Sequence, residues 1–223
     1  MAEATFSGGI SPVWPPKDRI LLAPRMELQN LTRKEPPFME RTVQPTTEVS
    51  SAAPAKGESR LFSIESVLNL QKLIFAGSPL SEVLTNIAKL VESQAEGMSC
   101  TIWLPDEDGK ELYCAAAPSL PGFIAQAGTM VVGPKGGSCG TAIYRREPVY
   151  AADILADPSW DLYRDRLLPY GIRSVWSRPL FTSEGTALGT FSINYREPRS
   201  PDANDLQLIE NASHITGIAI DAT

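Results

Sequence analysis

The stretch from Gly133 to Leu180 changes character every few residues, and no long helix or unbroken strand can be drawn through it. It opens with three glycines around one cysteine: Gly136, Gly137, Cys139 and Gly140. A short helix follows, then a strand over 148–152 and an Asp157-Pro158 stop. Rings and arginines come next (Trp160, Tyr163, Arg164, Arg166, Tyr170), and a further strand carries Trp176. Glycines, mixed polarity and flat rings packed between strands suit the wall of a small-molecule pocket. They do not suit a plain helical core.

The chain on either side is simpler. Residues 1–60 hold eight of the 19 prolines, and pairs such as Pro15-Pro16 and Pro36-Pro37 remove backbone donors and forbid helix. With no sustained apolar period to offset its ordering entropy, this segment reads as a disordered tail. The domain is expected over 61–223. Leu61, Ile64, Leu68, Leu73 and Ile74 fall at helical spacing, and Gly77-Ser78-Pro79 breaks the run, with Ser78 as a cap. Leu80, Val83, Leu84, Ile87, Leu90 and Val91 renew the stripe up to Gly97. Strands are expected over 99–104 and 111–117 around the Gly109 turn, and over 173–180 and 187–195 around Gly185. Ser200-Pro201-Asp202 starts a closing helix: cap, Pro at the first position, acid in the first turn. On it Leu208, Ile209, Ala212, Ile215, Thr216 and Ala219 share one face and His214 falls on the other.

This order describes an α+β domain: a central antiparallel sheet, the N- and C-terminal helices on one face, and the irregular insert on the other. A net charge of −6 argues against a nucleic-acid partner. No run of about 18 apolar residues marks a membrane span, and no basic leader precedes an apolar core. Cys100, Cys114 and Cys139 fit no zinc spacing and read as reduced thiols of a cytoplasmic protein.

At the level of motifs, GGSCGTAIYRREPVYAADI, DPSW, YGIRSVWSRPL and GTALGTFSINYREPRSP, with a closing ITGIAID, resemble the GAF domain of bacterial sensory proteins. The likeness covers about 61–223. It implies a GAF/PAS-like fold, a pocket closed by the connections between the middle strands, and signalling through the terminal helices, with homodimers common and a downstream signalling protein as partner. Ligands of such domains include cyclic nucleotides, tetrapyrroles, haem and small acids.

The ligand-facing candidates are Cys139, Asp153, Trp160, Tyr163, Tyr170 and Trp176. Gly136 and Gly137 would bring backbone N–H groups toward a ligand, Ser138 would cap the helix behind them, and Asp153 would accept from a ligand or from the next turn. Arg164 and Arg166 would meet an acidic ligand or face solvent. Cys139 at a helix start resembles the cysteine of free methionine-R-sulfoxide reductases, a catalytic branch of the GAF family, but that chemistry needs a second reactive cysteine and residues 157–177 have none. With one histidine, His214, a His-rich metal site is excluded and haem has no axial ligand facing the pocket. No Cys-His pair invites a bilin, and Asn194 lacks the Lys and Phe that accompany it in cyclic-nucleotide sites. The cofactor stays unknown. The expectation is a non-catalytic sensor of an unidentified small molecule; a Cys139 reductase and a purely structural dimerisation module are the alternatives.

Overall fold

A computed structural model describes residues 62–223; the tail expected over 1–60 lies outside them. The element order is α1 (Ile64–Phe75), α2 (Leu80–Glu92), β1 (Ser99–Pro105), β2 (Glu111–Ala116), α3 (Phe123–Gln126), β3 (Thr129–Val131), α4 (Gly137–Arg145), β4 (Val149–Ala151), α5 (Arg164–Leu167), β5 (Ser174–Phe181), β6 (Ala187–Tyr195) and α6 (Ala203–Asp221). The strands form one antiparallel sheet in the order β3-β2-β1-β6-β5-β4. Helices α1, α2 and α6 lie on one face, and the connections carrying α3, α4 and α5 lie on the other. The expected α+β architecture is the one observed.

Period-two alternation divides the sheet between two cores. Cys100, Ile102 and Leu104 of β1, Trp176 and Leu180 of β5, and Phe191, Ile193 and Tyr195 of β6 pack under the helices with Leu84, Ile87, Leu208 and Ile209. Trp103, Val175, Phe123, Met130, Ile154, Trp160 and Leu167 form the second core beneath the insert. β6 is buried at every position, yet Thr190, Ser192 and Asn194 alternate there with Phe191, Ile193 and Tyr195. The face of β6 turned from the helices is therefore hydroxyl- and amide-bearing.

Two expected caps move. Ser78 caps nothing: its N–H donates to Leu73 O (3.1 Å) and that of Gly77 to Ile74 O, closing α1 around Gly77 in the left-handed region, φ +68°. The closing helix starts after Asp202 rather than Ser200, because Asp202 and Asp205 form a reciprocal capping box. Asp205 is fully buried and also pairs with Arg199, whose guanidinium lies 5.0 Å from the Trp176 ring centroid and 4.2 Å from that of Tyr195. The start of α6 is thereby fastened to the centre of the sheet.

Candidate functional site

The glycines of the opening stretch let the backbone pack closely. A Cβ on Gly136 or Gly140 would lie less than 3.0 Å from the Val131 carbonyl oxygen, so α4 presses its backbone against the end of β3. Gly137, at φ +58°, forms a floor for the Trp160 ring, with a Cβ there 3.0 Å from two ring carbons. Ser138 does not cap α4, whose N-cap is Gly136. Its hydroxyl instead turns inward to Ser177 Oγ, at 2.9 Å.

That contact belongs to a buried chain of small polar groups. Ser177 Oγ lies 2.8 Å from Ser192 Oγ, and Cys139 Sγ is 3.4 Å from both. Burial pushes the Cys139 thiol up, with the hydroxyls of Ser177, Ser192, Ser138 and Thr190 opposing part of the rise. Cys114 is pushed up to about 12 by burial, then by Cys139 nearby and against a hydrogen bond to the Ala116 carbonyl. Packing of α4 on the sheet thus brings these two thiols, distant in sequence, into one core; both stay protonated and closed to solvent. Labelling native protein with a charged thiol reagent at neutral pH is expected to modify none of Cys100, Cys114 and Cys139, and all three after unfolding.

Over this chain sits the insert. Trp160 and Tyr163 are buried and meet edge to face, centroids 6.5 Å apart. Tyr163 Oη accepts from Val131 N at 3.1 Å. Tyr170 is partly buried, edge-on to Phe123, and donates to Gln126 Oε1 at 2.9 Å. Both arginines are committed to the fold: Arg164 pairs with Asp161 and reaches Leu155 O, while Arg166 donates to Ala127 O and Thr129 O and stacks on Tyr163. Asp153 accepts from Leu155 N (3.0 Å) and pairs with Arg173 (2.9 Å). It closes a turn and ties the insert to the strand behind it.

Cys139 and Trp160 line one central cavity together with Thr101, Trp103, Met130 and Asn194. Tyr163 and Tyr170 brace its cover, Asp153 stands at the end of that cover, and Trp176 lies across the sheet in the helix-side core. The cavity is closed tightly enough that no water-sized sphere fits inside. Trp160 Nε1, at the wall of this cavity, is buried with no hydrogen-bond partner among the described residues. A larger open groove of about 580 Å³ runs along the C-terminal half of α6, between Arg146, Phe181, His214 and Ile218. Its arginines are already engaged, Arg178 with Glu210 and Arg146 with Gly185 O and the Phe181 ring. The residues that sequence reasoning passed over are Ser177, Thr190 and Ser192; their alternation with Trp176, Phe191 and Ile193 was the available signal.

Hydrogen bonds from the Arg173 guanidinium and Leu155 N, with the Arg173 charge, hold the Asp153 carboxyl below its ordinary 3.8. A depressed carboxylate stabilises the fold above its unfolded-state value and loses that contribution as the pH falls through the folded one. The stability advantage of wild type over Asp153→Asn is therefore expected to be constant at neutral pH and to vanish on acidification below 3.8, read as urea midpoints at successive pH values.

A curled antiparallel sheet, helices on one face and a ring-lined insert on the other define a layered α+β domain. The profile of the GAF domain matches residues 77–221, and the chain belongs to that family. It is 33% identical over 149 residues to the methyl sulfide methyltransferase-associated sensor of Methanosarcina acetivorans, a match covering 66% of this chain and 15% of that protein. Among solved structures, it resembles a methyl-accepting chemotaxis protein fragment (TM-score 0.58, 21% identity, 70% of this chain and 94% of that one). Free methionine-R-sulfoxide reductase from Neisseria meningitidis shares the fold at TM-score 0.56 and 18% identity, over 72% and 92% of the two chains. The GAF domain of an Acinetobacter phosphoenolpyruvate-protein phosphotransferase does so at 0.54 and 14%, over 71% and 92%.

Proposed function

We propose that this GAF domain is a non-catalytic sensor that takes a small molecule into the cavity between sheet and insert and passes the event on through its terminal helices. The observation that carries this is the buried polar set beneath the insert. A core kept for packing alone has no use for a Ser138–Ser177–Ser192–Cys139 chain beside the unsatisfied indole N–H of Trp160, since an orphaned donor costs about 1–3 kcal/mol. A ligand offering polar atoms there would recover that cost. The protonated, enclosed Cys139 supports a sensor over a thiol enzyme.

Output through the helices also has a surface to use. Ile64, Leu68 and Phe75 share the outer face of α1, with Ile64 80% and Phe75 87% exposed, and we assign that face to a homodimer. A ligand that prefers one arrangement of paired helices shifts their equilibrium and so reaches a downstream signalling protein. No described helix is long and apolar enough to cross a membrane. Native mass spectrometry of protein purified from its own host tests the reading: a dimer mass carrying a small molecule is expected. A dimer that never carries one would leave a structural dimerisation module in its place.

A further inference from the structure

The walls of the central cavity carry no charge. Trp103, Met130, Leu167 and Val175 line it with Thr101, Cys139 and Asn194, and no Lys, Arg, His, Asp or Glu is among the lining residues. These charged groups of the insert are engaged elsewhere: Arg164 with Asp161, Arg166 with the carbonyls of Ala127 and Thr129, and Asp153 with Arg173. A phosphate or carboxylate taken inside would be buried without a counter-ion, a steep penalty in an apolar surround.

The space itself is held by Trp160. Its ring lies on Gly137, the one residue type that leaves room for it there. The indole N–H is buried without an acceptor, so the closed state leaves a donor unsatisfied. The ring hangs from a short 3-10 turn, Pro158–Trp160, that Asp157 caps by accepting from Ser159 N at 2.9 Å. Pro158, Asp161 and Leu162 around it are exposed, so the side chain can swing outward without unpacking a long element.

We propose that the cavity takes an uncharged, largely apolar planar molecule, which enters by displacing the Trp160 indole. This rests on the sensor reading above and narrows it to one ligand class. Trp160 then reports occupancy: in place without ligand, expelled with it, its N–H released to water.

The test uses the full chain labelled with 5-fluorotryptophan, whose Trp160 resonance is identified by its loss in Trp160→Phe. Indole is one probe; indole-3-acetate, the same ring with a carboxylate, is the other. Indole is expected to move the Trp160 resonance saturably, and indole-3-acetate to bind at least about tenfold more weakly. Trp160→Ala, with the plug gone, is expected to bind indole more tightly than wild type. Equal response to both probes would overturn the neutral-ligand class and leave the sensor cavity standing. Indole binding to Trp160→Ala but never to wild type would overturn displacement alone. Binding of neither probe to either protein would overturn this inference and the cavity reading together.

Discussion

Gly140→Ala is expected to destabilise the domain by about 3 kcal/mol or more, near the upper end for a change that adds a single methyl. The methyl would land less than 3.0 Å from the Val131 carbonyl oxygen, which is backbone of β3 and cannot rotate aside. Either α4 lifts from the sheet or β3 moves away from β2, and both expose the second core. Gly133→Ala is the control a few residues upstream: a Cβ there meets nothing within 4 Å, and the expected effect is within about 0.5 kcal/mol. Against a total stability of about 5–15 kcal/mol, the contrast is easily read in urea midpoints. Equal stability of the two variants would mean that α4 does not approach β3 as described. A lifted α4 would also carry Ser138 and Cys139 away from Ser177 and Ser192, so Gly140→Ala should weaken any ligand binding in the cavity.

This pair of glycines shows how far the sequence can be read. The density of glycines around Cys139 announces that backbone comes close to something, and the local pattern cannot say to what. A ligand and the carbonyl of Val131 demand the same residue. Ser138 is similar: a serine at a helix start is a cap by local chemistry, but the sheet supplies Ser177 as a buried partner and tertiary contact wins. The fold was legible because it rests on periods. The alternations of 99–105, 174–181 and 187–195 and the stripes of α2 and α6 survive any reasonable choice of boundary. Which side of the sheet each ring occupies was legible only in part. Trp176 shares strand parity with Leu180, and Phe191 with Ile193, which places them together under the helices. Trp160 sits in an irregular turn with no period to orient it. Likewise, the closeness of Cys114 to Cys139 depends on β2 and α4 meeting across β3, a relation without local trace.

Trp176→Ala is the second large effect, an expected loss of about 3–5 kcal/mol, typical of truncating a fully buried large ring. The side chain is 0% exposed, donates from Nε1 to the Arg199 carbonyl at 3.1 Å, and lies beneath the Arg199 guanidinium. Arg199 in turn holds the buried Asp205 of the α6 capping box. Removing the ring therefore opens a cavity under the helices and loosens the start of α6, the element through which a signal would leave. Trp176→Phe keeps most of the packing and loses the N–H bond, so a smaller loss, about 1–2 kcal/mol, is expected. Hydrogen exchange should quicken first at the amides of the opening turn of α6 in Trp176→Ala, while those of β1 keep their protection relative to global stability. Because Trp176 lies across the sheet from Cys139 and Trp160, indole binding measured under folding conditions should change less than twofold, a shift of about 0.4 kcal/mol. A variant that keeps its stability and loses the probe would move Trp176 from the scaffold into the ligand site. One that loses both in proportion would couple the two faces of the sheet and make Trp176 the first step from cavity to α6.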